Sequence, residues 1–310
     1  MIFSKPKFWD YKKPSIWSII LYPFSLIYLL ITIINKIFLS QKKFSIPIIC
    51  IGNIYVGGTG KTPLAIEIYK IFKSLGKNPC FIKKGYDFVS DEVKMLKNIG
   101  ETFQGKNREK SLISAISRHH DIAIFDDGFQ DLSIKKDFSI LCFHSNQLIG
   151  NGNIIPSGPL RESLRSIKRA DCIFINGNIN MDFEKKIRSI NKNIKIFYSN
   201  YKLKNIDNLK DKEIIAFAGI GNPSNFFELL KENNLNLKKT HHFSDHHSYS
   251  KKDFDKIFNK NYDYDKIKIV TTKKDYFRLN EKQKEICNCI DVDLEIYKKN
   301  DFETFIKSKI

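Results

Sequence analysis

At 310 residues, with 42% hydrophobic side chains, the chain can bury one large core or two smaller ones, and global disorder is excluded. Its 52 Lys+Arg against 34 Asp+Glu leave a net charge of +18. Such a surplus points to anionic partners: nucleic acid, anionic membrane or a phosphorylated ligand. The six cysteines include no Cys-x-x-Cys pair, and Cys287-Asn288-Cys289 lacks the usual zinc spacing, so reduced cytosolic thiols are expected.

The first element is apolar from Ile16 to Leu39 and flanked by Lys12, Lys13, Lys36, Lys42 and Lys43. About twenty apolar residues suffice to cross a bilayer as a helix. Residues 1–40 are therefore expected to form a membrane-anchoring segment, spanning or lying in the interface, with Trp9, Tyr11, Trp17 and Tyr22 at the headgroup level. Pro23, Ser25, Thr32 and Asn35 weigh against a simple span. A buried core helix is the competing reading.

Next comes the apolar strand Pro47–Gly52, then Val56-Gly57-Gly58-Thr59-Gly60-Lys61-Thr62-Pro63, then a helix carrying Leu64, Ile68, Ile71 and Phe72. Strand, glycine-rich loop and a helix opening on Lys-Thr form the context of a phosphate-binding loop. Glycines let the backbone N–H groups converge on phosphate oxygens, Lys61 would reach the β/γ-phosphates and Thr62 would ligate Mg²⁺. The spacing departs from the common one, because Tyr55 stands where a glycine is usual. The cofactor-binding set is thus Tyr55, Val56, Gly57, Gly58, Thr59, Gly60, Lys61 and Thr62.

Beyond it the pattern predicts a strand at Cys80–Lys84 and helices at Val93–Ile99 and Arg108–Arg118. The strand Ile122–Phe125 ends in Asp126-Asp127, carboxylates suited to Mg²⁺ at a strand's C-terminal end. Phe138–Phe143, Cys172–Ile175 and Ile194–Tyr198 read as further strands, with a helix at Asp182–Ile190. The long loop from Gly150 to Glu162 is of the kind that carries function. A polar Lys/Asn-rich stretch at Asn200–Lys212 reads as a linker. The strand Glu213–Ala218 and the turn Gly219–Pro223 lead into a helix at Phe226–Glu232, and Ile267–Thr272 is a further strand. The cluster His241-His242-Phe243-Ser244-Asp245-His246-His247 fits a solvated loop, a metal site or one catalytic histidine. Together these predict an α/β protein: a P-loop NTPase-like, mostly parallel sheet with helices on both faces (41–200), a smaller C-terminal α/β domain (201–310) and the N-terminal membrane helix.

The ordered blocks Gly52-Asn53, Gly57–Pro63, Asp126–Gln130, Gly150–Gly152, Pro156–Glu162, Phe243–His246 and Val270–Asp275 resemble the tetraacyldisaccharide 4′-kinases, the lipid A kinases of Gram-negative bacteria. The resemblance implies ATP and Mg²⁺ as cofactors and transfer of the γ-phosphoryl group to the 4′-hydroxyl of a tetraacyldisaccharide 1-phosphate. It also implies a monomer on the cytoplasmic face of the bacterial inner membrane, facing its anionic surface, with no nucleic-acid partner. Asp91 matches the family's general base and His246 its histidine partner. Lys61, Asp127, Arg161 and Glu162 fall among the catalytic residues, and Thr62, Asp126 and Asp127 among the metal ligands. Two motifs depart from the family: Asp131 replaces a histidine, and Lys83-Lys84-Gly85-Tyr86-Asp87 replaces Ser-Arg-Gly-Tyr-Gly. The segment from there to Asp91 is also short. The competing expectations are a membrane P-loop NTPase with a targeting or assembly role, and a basic nucleic-acid-binding protein, for which no helix-turn-helix, zinc-finger or RNP signature is present.

Overall fold

The computed structural model describes residues 5–11, 13, 15–37, 39–85, 90–204, 206–245, 247–258 and 263–310. In chain order, α1 (Ile16–Ile37) precedes β1 (Ile48–Gly52), α2 (Lys61–Ser74), β2 (Pro79–Lys84), α3 (Asp91–Lys97), β3 (Thr102–Gly105) and α4 (Arg108–Ser117). There follow β4 (Ile122–Asp126), β5 (Phe138–His144), β6 (Cys172–Asn176), α5 (Met181–Ile190) and β7 (Lys195–Lys204). Then come β8 (Glu213–Ala218), α6 (Pro223–Glu232), β9 (Asn236–His242), α7 (Lys251–Ile257) and β10 (Ile267–Thr272). The chain closes with α8 (Lys273–Tyr276), α9 (Glu281–Ile286), β11 (Asn288–Ile296) and α10 (Lys299–Lys307).

The larger of two compact units comprises residues 5–200 and 294–310. Its parallel sheet runs β3-β2-β4-β1-β5-β6-β7. Successive side chains of a strand point to opposite faces, and here both faces are covered, so the central strands are apolar throughout. Ile48, Cys50, Ala123, Phe125 and Phe143 face one layer, which receives Leu112 of α4 and Phe183 of α5. Ile49, Ile51, Ile124 and Phe174 face the other, against Leu64, Ile68 and Phe72 of α2 and Phe302 and Ile306 of α10. All six cysteines are free thiols; Cys50, Cys80, Cys142, Cys172 and Cys287 are buried, packed as small core side chains.

The smaller unit spans residues 201–293, with parallel strands in the order β11-β10-β8-β9. Phe226, Phe227 and Leu230 of α6 cover one face, and Phe254 and Ile257 of α7 the other. At its centre the fully buried Asp275 accepts hydrogen bonds from the Gly219 N–H (3.0 Å), the Tyr249 hydroxyl (2.7 Å), the Thr272 hydroxyl (2.6 Å) and Arg278 (2.9 Å). The Val270–Asp275 block thus pins the turn between β8 and α6. A buried charge held this way leaves few lone pairs unsatisfied.

Two domain expectations change. The expected 201–310 domain loses its last segment, because residues 294–310 cluster with the larger unit. The reason is apolar: Phe302 packs on Phe174 and Phe197, and Phe305 on Phe138. The N-terminal segment likewise belongs to the larger unit rather than standing apart. Strands β3, β9 and β11 were not expected from the pattern; β9 (Asn-Leu-Lys-Lys-Thr-His-His) is mostly polar and half-exposed.

Candidate active site

The strand order puts the C-terminal end of β1 between those of β4 and β5, the crevice where open α/β sheets bind ligands. From Gly52 the chain turns through residues 53–60 into α2. Gly52 lies so close to Phe129 that a Cβ would come within 2.4 Å of the Phe129 Cβ. Gly60, the residue before α2, has φ 84° and ψ 20°, a left-handed conformation that glycine adopts without strain. Side-chain amides hold the loop's carbonyls: Asn53 Nδ2 donates to the Gly57 carbonyl and the Thr59 hydroxyl (both 3.1 Å), and Asn176 Nδ2 to the Thr59 carbonyl (2.5 Å). Tying carbonyls back is what lets successive N–H groups converge on an anion, and the start of α2 adds partial positive charge.

The end of β4 supplies the carboxylates. Asp126 is fully buried; its Oδ2 accepts from the Thr62 hydroxyl (2.9 Å) and from Lys83 Nζ (2.6 Å), while its Oδ1 has no hydrogen-bond partner among the described residues. Asp127 has φ 61°. Its carboxylate meets Arg161 Nη1 at 3.1 and 3.2 Å and Lys61 Nζ at 3.8 Å. Burial works against its charge, but Lys61, Arg161 and Lys83 outweigh that and hold its pKa at about 2. Burial lowers the pKa of Lys61, an effect that Asp127 offsets only in part. Arg108 Nη2 donates to the Asp127 carbonyl (2.6 Å) and its Nη1 to Asp131 (3.1 Å). The substituted Asp131 therefore anchors the arginine that holds the Asp126-Asp127 turn.

The structure thus brings Lys61, Thr62, Asp126, Asp127 and Arg161 together. Gly57, Gly58, Thr59 and Gly60 form the loop around them. At the start of the loop the Val56 N–H donates to the Pro159 carbonyl (2.8 Å), and the buried Tyr55 hydroxyl donates to Asp10 (2.6 Å). Asp91 is buried in the first turn of α3, whose cap is the Ser90 side chain. His246 lies outside the described residues. Elsewhere in its cluster, His241 and His242 end β9, and His247 Nε2 meets Asp253 at 3.1 Å. The Oε2 of Glu162 takes Lys36 of α1 at 2.6 Å and Arg169 at 2.5 Å. The sequence reading missed Asn176 and Lys83 as site residues. The signal for both was a polar residue at the C-terminal end of a buried apolar strand.

Helix α1 reaches this site along its length. Its buried residues are serines: Ser18 donates to the Ser157 carbonyl (2.6 Å) and Ser25 to the Ile154 carbonyl (2.7 Å), while the Ser157 N–H donates to Ser25 (3.0 Å). Trp17, Ile20, Phe24, Ile27, Leu30 and Ile37 point outward and are exposed. Trp9, expected at the membrane interface, is instead buried with its indole N–H on the Pro156 carbonyl (3.0 Å).

Thr62, Asp126 and Asp127 offer hard oxygen donors of the type Mg²⁺ takes, and the unpartnered buried Asp126 Oδ1 is consistent with a missing cation.

A family model described as Tetraacyldisaccharide-1-P 4′-kinase matches residues 17–98 and 87–310. A Pelagibacter ubique protein named tetraacyldisaccharide 4′-kinase is 44% identical over 302 residues, covering 96% of this chain and 95% of its own length. One of the same name from Rickettsia canadensis is 32% identical over 312 residues, covering 95% and 94%. Among solved structures, LpxK from Aquifex aeolicus in complex with ATP matches with a TM-score of 0.72 at 24% identity, over 94% of this chain and 99% of that one, which shows a common fold.

Proposed function

The chain belongs to the tetraacyldisaccharide 4′-kinase family, and on that premise we propose which of its groups carry the γ-phosphoryl of ATP to the 4′-hydroxyl of a tetraacyldisaccharide 1-phosphate. It is an ATP-dependent kinase of lipid A biosynthesis. The supporting observation is the convergence of Lys61, Thr62, Asp126, Asp127 and Arg161 where β1 and β4 end.

Phosphoryl transfer asks for positioning and for charge aimed at the equatorial oxygens. The loop 57–60 and the start of α2 take the β- and γ-phosphates, and Lys61 lies along them. Arg161, kept in place by Asp127 and Gln130, turns its remaining N–H groups toward the transferring group. Thr62, Asp126 and Asp127 would hold Mg²⁺, which when bound would draw charge from the phosphates. A sugar hydroxyl is a weak nucleophile, so Asp91 accepts its proton as the oxygen attacks the γ-phosphorus. The bond to the β-phosphate oxygen breaks and ADP leaves. Glu162 acts from outside the phosphate site, holding the Pro156–Glu162 loop to α1 through Lys36.

We further infer that α1 embeds in the cytoplasmic leaflet of the inner membrane without crossing it. Of its 22 residues, Ser18, Ser25 and Lys36 all bond to one folded unit, leaving the outward apolar face for lipid. An 18-residue stretch of α1 has a mean hydropathy of 2.1, and only 11% of that stretch is buried. A chain of net charge +18 suits an anionic leaflet, and one copy contains every group named above, so the enzyme acts as a monomer.

The test is transfer of labelled γ-phosphate from ATP-Mg²⁺ to a tetraacyldisaccharide 1-phosphate in detergent, beside an acceptor-free control. A labelled bis-phosphorylated lipid only in the presence of acceptor is the expected result. Label appearing as free phosphate at a rate indifferent to acceptor would replace the kinase with an NTPase.

A further inference from the structure

Lys83 has no part in the account above, yet it is bound into the centre of the site. It stands near the end of β2, directly opposite Asp126 in the parallel register of β2 and β4. Its side chain is 13% exposed and its Nζ lies 2.6 Å from Asp126 Oδ2. That oxygen also accepts from Thr62, so one buried carboxylate oxygen serves both the hydroxyl and the ammonium. A lysine amine this close to a carboxylate is an ammonium at neutral pH. Its charge is also felt by Asp127 and Lys61.

A carboxylate buried at the end of β4 must be compensated at every stage. A divalent cation bound through Thr62 and the unpartnered Oδ1 of Asp126 would compensate the same carboxylate that Lys83 now neutralises. Two positive charges cannot share it in so buried a place, since like charges a few ångströms apart repel strongly where water is excluded. The ammonium sits on a flexible four-carbon stem, which lets it move while keeping its charge inside the site. The anionic groups the bound nucleotide adds there are its terminal phosphates.

We propose that Lys83 is a reserve cation of the nucleotide site: it neutralises Asp126 until a divalent cation takes over that carboxylate, and then yields its place. This rests on the reading of Thr62, Asp126 and Asp127 as the side of the site that holds Mg²⁺. In consequence metal-free nucleotide binds to a site already neutral, and the enzyme depends less on Mg²⁺ for nucleotide affinity than it would without Lys83.

The experiment measures the dissociation constant of a fluorescent ATP analogue on the full chain in detergent, once with EDTA and once with saturating Mg²⁺, and takes the ratio of the two. Lys83→Met should weaken the EDTA value about ten- to hundredfold, as expected for a charged hydrogen-bond partner lost from a buried anion, and the Mg²⁺ value far less. The ratio should therefore rise at least about tenfold. Lys83→Arg should keep the ratio of the unmodified chain. Lys83→Gln retains a donor for Asp126 without charge and should behave as Lys83→Met does, which keeps the test open if the methionine variant does not fold. An unchanged ratio in both neutral variants, whether both constants weaken equally or neither does, would overturn the proposal, because a merely structural lysine acts alike with and without metal. If Mg²⁺ fails to tighten binding even in Lys83→Met and Lys83→Gln, the metal-site reading itself falls, and the proposal with it.

Discussion

Helices α1 and α2 follow one another in the chain and are built inside out relative to each other. In α2 the buried residues are Leu64, Ala65, Ile68, Tyr69, Ile71 and Phe72, apart from Thr62 at the site, and Lys70 and Lys73 face water. In α1 the buried residues are Ser18 and Ser25, and the isoleucines, leucines and aromatic residues are exposed. A helix packs its apolar face where water is absent. For α2 that place is the sheet, and for α1 it is outside the protein. The serines of α1 are then its docking points, because in a nonpolar setting a hydroxyl-to-carbonyl bond gives orientation that apolar contact with lipid cannot.

If the two helices divide the work this way, substitutions in one should leave the other's property untouched. The largest effect is expected at the start of α2: Lys61→Ala should lower kcat about a thousandfold or more, the scale on which single groups stabilise phosphoryl transfer. Membrane partition of the variant, measured by vesicle flotation, should not change. Asp91→Ala should lower transfer by about a hundred- to ten-thousandfold, the usual contribution of a general base, while sparing ATP binding. Normal turnover by that variant would remove Asp91 from the base role. In α1, the pair Ile20→Asp and Ile27→Asp places two charges on the outward face, each costing about 2.5–3.5 kcal/mol in a hydrocarbon setting. Flotation should then fall sharply with unchanged ATP affinity; equal flotation would mean that α1 is not in lipid.

Much of the nucleotide site was legible because its determinants are local. Strand, loop and helix start lie within Pro47–Phe72, and the torsions that the loop needs are written as glycines at 57 and 60. Asp126 was legible for the same reason, as a carboxylate ending an apolar run. What could not be read was which side of a residue faces the ligand. Tyr55 and Val56 lie inside the phosphate-loop motif, yet pair with Leu160 and Pro159 from a distant loop. Lys83 and Asn176 reach the loop through strand register, and register depends on pairing across long chain separations. The C-terminal helix was illegible as part of the larger unit, because a short amphipathic helix carries no mark of the sheet it will cover. In α1 Ser25 was among the residues weighed against a span, and it proves, with the unremarked Ser18, to be a contact with the protein body.

A smaller effect tests those serine contacts. Ser25→Ala removes a donor to the Ile154 carbonyl and an acceptor for the Ser157 N–H. Leaving such groups unpaired where water is excluded costs about 1–3 kcal/mol, to be read as a lower melting temperature in detergent, with flotation retained. A variant as stable as the parent would show that α1 is held by its lipid face alone.

The finest test concerns acid, and it separates the charged end of α2 from the neutral surface of α1. Asp127 has a pKa of about 2 in the folded chain because Lys61, Arg161 and Lys83 outweigh its burial, against about 3.9 for an aspartate in an unfolded chain. A group depressed in this way binds its proton more tightly when unfolded, so it favours the fold wherever it is ionised in both states. Its contribution is complete above about pH 4 and disappears as pH falls through about 2. Urea melts of the full chain between those values should lose stability, and Arg161→Met, which raises the pKa by removing a cation, should flatten that part of the profile. Ser25→Ala should shift the whole curve downward without changing its slope, since no titrating group is touched. A parallel shift in both variants would mean that Asp127 is not held by Arg161 in solution, and the ion pair at the mouth of the phosphate loop would have to be redrawn.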